Sequence, residues 1–541
     1  MTTAPQVAAP VAGEQPSTSR RTALGLAAAG GLAVSTLGRA TEAYGVPPVP
    51  MATVLPEVIG DLAKDLNLTS TAAWHLARRV APAPTQAIAS EIAKRGATAW
   101  IDKQLNWKKI DDSKADGLVN KYLSYATMTG AKVNKASKQQ PWLAGPALSR
   151  SRTVRQVFTK RYLYESMVDT MADHLYISAD GKASNWVAWF DWAVLRKYAL
   201  GKFSSMLYAS LRHPGMLIYL DNQVSTKDAI NENLGRELLE LHTVGVGHYD
   251  EEDVLNSARL LTGHGYDWDK WTYRYYPGRH WTGGLKIMGF EHPNADPADG
   301  KAVLKSYASY LAHHRGTAEH IARRLATRYV SDTPSSALVA KLADTYQAHD
   351  TSLAAVIRAL LLSDEFANSV GSKWRRPQET MAMMIKQRSP STLKPAGKQL
   401  RTIWNITGTV QWLLYLENHQ PRMWPVVDGY PDQTTDWIGA QALLSSWYSA
   451  NARTNWGSDK EWPSKSWAKA LGVKKGQVVT DVAKKLTRNI TGYAWSQAHL
   501  DIVAARLKGD HDTTTLTSDQ LKYNLSPTLH FIFCSPYFKL R

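Results

Sequence analysis

Wherever apolar residues recur regularly in this 541-residue chain, they do so every three or four positions, the spacing of a single helical face. The pattern runs from Ala87 to Leu105 with one break at Gly96, and again from Arg155 to Leu175. Leu234, Leu238 and Leu241 continue it as a narrow stripe. No segment shows a convincing two-residue alternation. The expected fold is therefore mainly α: a large multi-helix globular protein with long ordered loops and little or no β-sheet.

Local signals place several boundaries. Asp250 precedes Glu251-Glu252-Asp253 and the apolar Val254, Leu255, Ala258 and Leu261, which predicts an N-cap and an acidic first turn that suits the helix dipole. Gly263 predicts the stop of that helix. Thr333-Pro334 reads as a cap followed by a first-turn proline. The Lys/Gln/Ser/Pro-rich stretch 129–153 predicts a long loop, and Trp186, Trp189 and Trp192 predict an aromatic helical face. The prolines of Asn418–Trp437 exclude a helix and predict an ordered loop held against the core. A soft boundary near residues 370–400 divides the expectation into a main helical lobe, 46–370, and a C-terminal helical lobe, 371–541.

Composition narrows the function classes. A content of 44% hydrophobic and 21% charged residues excludes a disordered chain. The single cysteine, Cys534, excludes an intrachain disulfide and any multi-cysteine metal site. A formal charge of +17 favours acidic partners such as anionic wall polymers, polysaccharides or phospholipid head groups. The basic residues are scattered in small groups such as Arg323-Arg324, so nucleic acid is not an expected partner. The 20 Trp and 24 Tyr, against 8 Phe, form an aromatic pool suited to wet surfaces as well as to cores.

Residues 1–45 read as a twin-arginine-type signal. Arg20-Arg21 stands directly before a mild apolar run, Ala23 to Leu37, softened by Gly25, Gly30 and Gly31. The run is too short and too Gly/Ala-rich for a membrane span, and no span beyond the signal is expected. The signal implies export of a folded chain to the cell envelope or the medium. Folded export suits a cofactor loaded beforehand, for which a divalent metal is the candidate.

The densest polar pattern is Asn231 to Thr243. At about 100° per residue, its leucines share one face. Glu232, Arg236 and Glu240 fall on the opposite arc, with Asn233 and Glu237 beside them. Two readings stay open: Glu237 and Glu240 as metal ligands or an acid–base pair, or Glu232–Arg236–Glu240 as an ion-pair ladder. The Glu-x-x-Glu spacing differs from the Glu-x-x-His of di-iron bundles, so His242 reads as a core histidine. The candidate cluster is Asn233, Arg236, Glu237, Glu240, Asp221 and Asn222, with Glu237, Glu240 and His174 as metal candidates. It is expected to be buried, with Gly235 admitting a neighbouring segment. Asp173, beside His174, and His280 with Lys286 are further polar candidates. The chain carries no Gly-x-Ser-x-Gly, P-loop, His-Glu-x-x-His or dinucleotide fingerprint.

Several blocks carry a family resemblance. They are His75-Leu76-Ala77-Arg78-Arg79, Met216 to Asn222, Asn231 to Gly245, Arg259 to Gly263, Ala318 to Leu325, Asp428-Gly429-Tyr430-Pro431-Asp432 and Ser535-Pro536-Tyr537-Phe538. Together they resemble the bacterial domain-of-unknown-function family numbered 1800. The resemblance implies an exported, mostly helical bacterial protein. It also implies an exported, sulfatase-like partner of the family numbered 1501. The chain departs from the family pattern at Arg79-Val80-Ala81-Pro82, and at His280-Trp281 where an aspartate usually follows the histidine. The resemblance assigns no catalytic residue. Two functions are carried forward: an envelope or extracellular enzyme or metalloprotein with the acidic helix as its site, and a non-catalytic protein binding or assembling cell-wall or other polysaccharide.

Overall fold

Thr71 opens helix α1 (Ala72–Val80) by accepting a hydrogen bond from the Trp74 N–H, so an orphan donor of the first turn is satisfied. The computed structural model describes residues 66, 68–394, 407–455 and 461–541. Residues 1–45, where the sequence predicts a signal, lie outside the described residues. Gly96 splits the first amphipathic stretch into α2 (Gln86–Arg95) and α3 (Ala97–Leu105), at the break its sequence marks.

One sequence expectation fails in the next stretch. Residues 129–153 form not a long loop but a short helix, Gly130–Ala136, and most of α4 (Ala144–Phe158). The polar side chains that mimic a loop are buried and bonded: Ser149 donates to Gln411 Oε1 at 2.8 Å, and Arg152 pairs with Asp169. The stretch from Arg155 to Leu175 is helical as expected, but as parts of two helices. It breaks between α4 and α5 (Tyr162–His174), where Asp112 accepts from the Thr159 hydroxyl at 2.8 Å and the Lys160 N–H at 2.7 Å.

Helix α6 (Asn233–Glu237) runs into a π-turn, Leu238–His242. Helix α7 (Glu251–Leu261) follows, and the Asp250 cap forms as a reciprocal capping box with Asp253. Among the described residues, strands form only two antiparallel hairpins. In one, β1 (His264–Asp267) pairs with β2 (Thr272–Tyr275). In the other, β3 (Leu285–Ile287) pairs with β4 (Phe290–His292). All four residues of β1 are buried and β3 has three residues, so neither displays an alternation long enough to read.

Helices α8 (Gly300–His313), α9 (Arg315–Tyr329) and α10 (Ser336–Ala348) supply much of the apolar core through Leu311, Leu325 and Leu342. The cap of α10 is Ser335, not Thr333, and Pro334 precedes the helix. Ser335 accepts from the Leu338 N–H and donates its own hydroxyl to Glu365 at 2.5 Å.

Beyond residue 370 lie α11 (Pro377–Gln387), α12 (Gly408–Leu416) and α13 (Ala440–Asn455). This part is tied to the first by buried cations. The Arg78 guanidinium sits 3.7 Å over the Tyr493 ring, and Arg541 Nη2 donates to the Arg79 carbonyl at 2.6 Å. The Pro-rich loop packs as expected. Tyr430 and Trp437 are buried against the His419 ring, with centroids 4.4 and 4.8 Å away. Among the described residues no helix is long and apolar enough to cross a membrane.

Candidate functional site

The acidic helix does not present the arc drawn from its sequence. Its π-turn takes up one more residue per turn than an α-helix, so Leu239 joins Leu234 and Leu238 in the core while Leu241 is half-buried. The same change carries Glu240 away from Arg236. Arg236 Nη2 binds Glu251 Oε2 at 2.6 Å and Glu232 Oε2 at 3.3 Å, whereas Glu240 accepts from the Tyr249 hydroxyl at 2.7 Å. The ladder therefore closes on Glu251, a residue outside the helix. Asn233, Arg236, Glu237 and Glu240 are half-buried rather than buried, and the Arg236 side chain is 30% exposed. The role expected of Gly235 holds: a Cβ there would stand 2.8 Å from the Ala258 nitrogen, so α6 and α7 meet on a bare backbone.

The other sequence candidates disperse. Asp221 adopts a left-handed conformation, φ 60°, and pairs with Lys182 at the surface at 2.5 Å. Its neighbour Asn222 is buried and donates to the Leu261 and His264 carbonyls at 3.0 and 2.8 Å, pinning the end of α7 to β1. His174 Nε2 lies 3.0 Å from the His242 carbonyl, which places a proton on that nitrogen. Burial, followed by His320 and Arg324, holds the His174 pKa well below the usual histidine value, so the ring is neutral. His280 is held between the Thr262 carbonyl and Asn294, while Lys286 lies outside beside Glu291. Among the described residues, no three or more His, Cys, Asp and Glu side chains are grouped to hold a metal ion.

The chemistry concentrates instead one residue before His174. Asp173, in the last turn of α5, receives Arg376 Nη1 at 2.6 Å. Arg376, the residue before α11, also reaches Asp432 Oδ1 at 2.7 Å and the carbonyls of Tyr430 and Pro431 at 3.1 and 3.0 Å. Arg328, on α9, bridges Asp432 at 3.2 Å and Glu379 at 2.6 Å, and Arg541 closes on Glu379 at 3.0 Å. These side chains are almost wholly buried. Burial alone would raise the Glu379 pKa, but Arg328, Arg541, Arg375 and Arg376 outweigh it and hold the carboxyl at about 2. Asp432 is likewise held below the usual carboxylate range by Arg376 and Arg328 against the effect of burial. A second network adjoins the first: Arg152, Arg196 and Arg422 surround Asp191, which a π-turn at Asp191–Leu195 brings to the interior.

Between the two networks lies a cavity of about 30 Å³. Four arginines reach it (Arg152, Arg328, Arg376 and Arg422), with Asp169, Asp173 and Glu379 as their counter-charges. Gln156, Gln378, His419 and Tyr430 complete much of its wall. Such a site can bind and orient a small polar group.

Residues 75–540 match the family model described as "Protein of unknown function (DUF1800)". The chain belongs to this family. No curated protein and no solved structure matches it. In this DUF1800 chain two motifs that are far apart in sequence meet around the charge networks. Arg79 from the first block accepts Arg541 on its carbonyl, and the Asp428–Asp432 block supplies Asp432. Sequence reasoning reached Asp173 as a secondary candidate and quoted the Asp428–Asp432 motif without assigning it a role. It missed Arg152, Arg328, Arg376, Gln378, Glu379, His419 and Arg422. The one available signal for the last two was their place in the Pro-rich loop, since ordered long loops often carry function.

Proposed function

We propose that this DUF1800 protein is an exported, non-catalytic binding protein of the cell envelope, and that it engages polysaccharide through aromatic rings on α12 and α13. The observation that carries this reading is a strip of exposed side chains. Trp412 and Tyr415 stand 45% and 66% exposed on α12, with Leu444 and Trp447 on α13. The Tyr448 ring meets Trp412 edge to face at 5.9 Å, joining the two helices' contributions. Large exposed apolar side chains grouped on two helices, with polar sequence neighbours such as Thr409, Asn418 and Gln441, suit an interaction site rather than a core. Flat rings with polar edges suit the faces of sugar rings, and the charge of +17 adds attraction to acidic wall polymers. The acidic helix offers less to a catalytic or metal-binding reading, because Arg236 and Tyr249 already engage Glu232 and Glu240. The Arg20-Arg21 signal supports export.

Co-sedimentation with purified insoluble wall polysaccharide tests this. Wild-type protein should pellet and show altered tryptophan fluorescence. The double variant Trp412→Ala, Trp447→Ala should stay in the supernatant while keeping its helical circular dichroism. A wild type that does not pellet, or a folded double variant that pellets equally, overturns the proposal.

A further inference from the structure

Helix α14 (Trp467–Leu471), helix α15 (Val479–Thr491) and the loop between them carry six cations and one acid: Lys469, Lys474, Lys475, Lys484, Lys485 and Arg488 against Asp481. Val479, Val482, Ala483, Leu486 and Ile490 bury the inner stripe of α15, which leaves Lys484, Lys485 and Arg488 on its outer side. Lys485 reaches back and donates Nζ to the Gly472 carbonyl at 2.6 Å. Lys469, Lys474 and Lys475 are each no more than three residues from Gly472, so their Cα atoms stand within about 11 Å of it. The fold thus gathers two lysine pairs that lie ten positions apart in the sequence.

This face is rigid and short of counter-charge. Gly492 ends α15 at φ 76°, and a Cβ there would stand 2.4 Å from the Trp74 ring of α1, so the helix is held close to the core. All six cations but the half-buried Lys485 are exposed, and among the described residues none of the six is in an ion pair. Helix α16 (Gln497–Lys508) packs against α15. Of the acids on it and on the segment that follows, Asp501 accepts from Gln497 Nε2 at 2.7 Å and Asp512 is paired with Lys508 at 2.8 Å. From residue 466 to residue 516 there are eight cations and four acids.

The apolar content of the face narrows its partner. Val478, 43% exposed, is the one large exposed hydrophobic side chain between residues 466 and 491. The face therefore lacks the bulky wedge with which an amphipathic helix enters a bilayer, and the exposed rings on which nucleic-acid bases stack. What remains suits a hydrated polyanion. Lys484 and Arg488 are one helical turn apart, about 5–6 Å between Cβ atoms, comparable with the length of one sugar ring in a linear chain. We propose that this face docks an acidic polysaccharide bearing one carboxylate per sugar, with successive carboxylates meeting Lys484, Arg488 and the lysines around Gly472. The class of partner rests on the polysaccharide reading above, but the surface is a different one and it acts through charge rather than ring stacking.

Isothermal titration of the full chain with polygalacturonate, which has one carboxylate per sugar, and with its fully methyl-esterified form, which has none, tests the assignment. Wild-type protein should bind the acidic polymer with an affinity that falls roughly tenfold or more from about 50 to about 200 mM salt. The double variant Lys484→Glu, Arg488→Glu should bind it roughly tenfold more weakly at low salt, with unchanged helical circular dichroism. The milder Lys474→Gln, Lys475→Gln variant should weaken it in the same direction. The methyl ester reads the aromatic strip separately: its failure to bind counts against α12 and α13, whereas equal binding of ester and acid counts against this face. Equal binding of the two polymers, binding of the acid that ignores salt, equal binding by the folded charge-reversed variant, or binding of phosphatidylglycerol vesicles without binding of polygalacturonate overturns the proposal.

Discussion

Arg376 Nη1 lies 2.6 Å from Asp173 Oδ2, and the two residues are 203 positions apart in the chain. Both side chains are more than nine-tenths buried, so each charge depends on the other in a medium that solvates neither.

Asp173→Asn should therefore destabilise the protein by about 3–5 kcal/mol, because it leaves the buried Arg376 with a weakened set of partners. Urea denaturation followed by circular dichroism measures this. A loss below about 1 kcal/mol, the range of a surface pair, would show that the pair is not desolvated.

Arg236→Ala should behave in the opposite way. Its partners Glu232 and Glu251 are 46% and 67% exposed, so the loss should be about 0–1 kcal/mol, further reduced in high salt. The same urea titration at low and high ionic strength checks it. A cost of several kcal/mol would mean that the acidic helix is a buried element after all.

The pH dependence follows from Glu379. Its folded pKa, about 2, lies below the ordinary value of 4.5, so the unfolded chain binds the proton more readily. The stability this carboxylate contributes is present in full above about pH 4.5 and is lost as the pH falls towards 2. Asp432, shifted in the same direction, adds to that slope. Urea midpoints measured across this window should fall steeply for the wild type and less steeply for Glu379→Gln. Equal slopes would remove Glu379 from the account.

Gly429→Ala should be strongly destabilising for a steric reason. Gly429 has φ 74°, and a Cβ there would lie 2.4 Å from the Asp173 carbonyl oxygen. The substitution combines a strained backbone with a backbone clash, so a loss of more than about 2 kcal/mol is expected. Thermal denaturation reports it. A variant of unchanged melting temperature would show that the loop can shift without disturbing Asp173.

Features that depend on near neighbours were legible in the sequence. The Asp250 cap and its acidic turn, the break at Gly96 and the close approach at Gly235 each rest on one residue's local chemistry. The candidate cluster was less legible. A π-turn inside Leu238–His242 changes which residues share a face, and a straight 100° helical wheel cannot anticipate it. Residues 129–153 misled for a related reason. Ser149 and Arg152 look like loop residues until their buried partners, Gln411 and Asp169, are known.

The sequence by itself determined the helical class, several helix ends and the packed Pro-rich loop, because periodicity, capping and proline chemistry act over a few residues. Only the tertiary structure decided which charges meet. Arg152, Arg328, Arg376 and Arg422 come from four separate stretches of chain, and nothing in their spacing records that they share one cavity. An ion pair's energy depends on distance and desolvation, both of which are set by how the helices cross rather than by the number of residues between them.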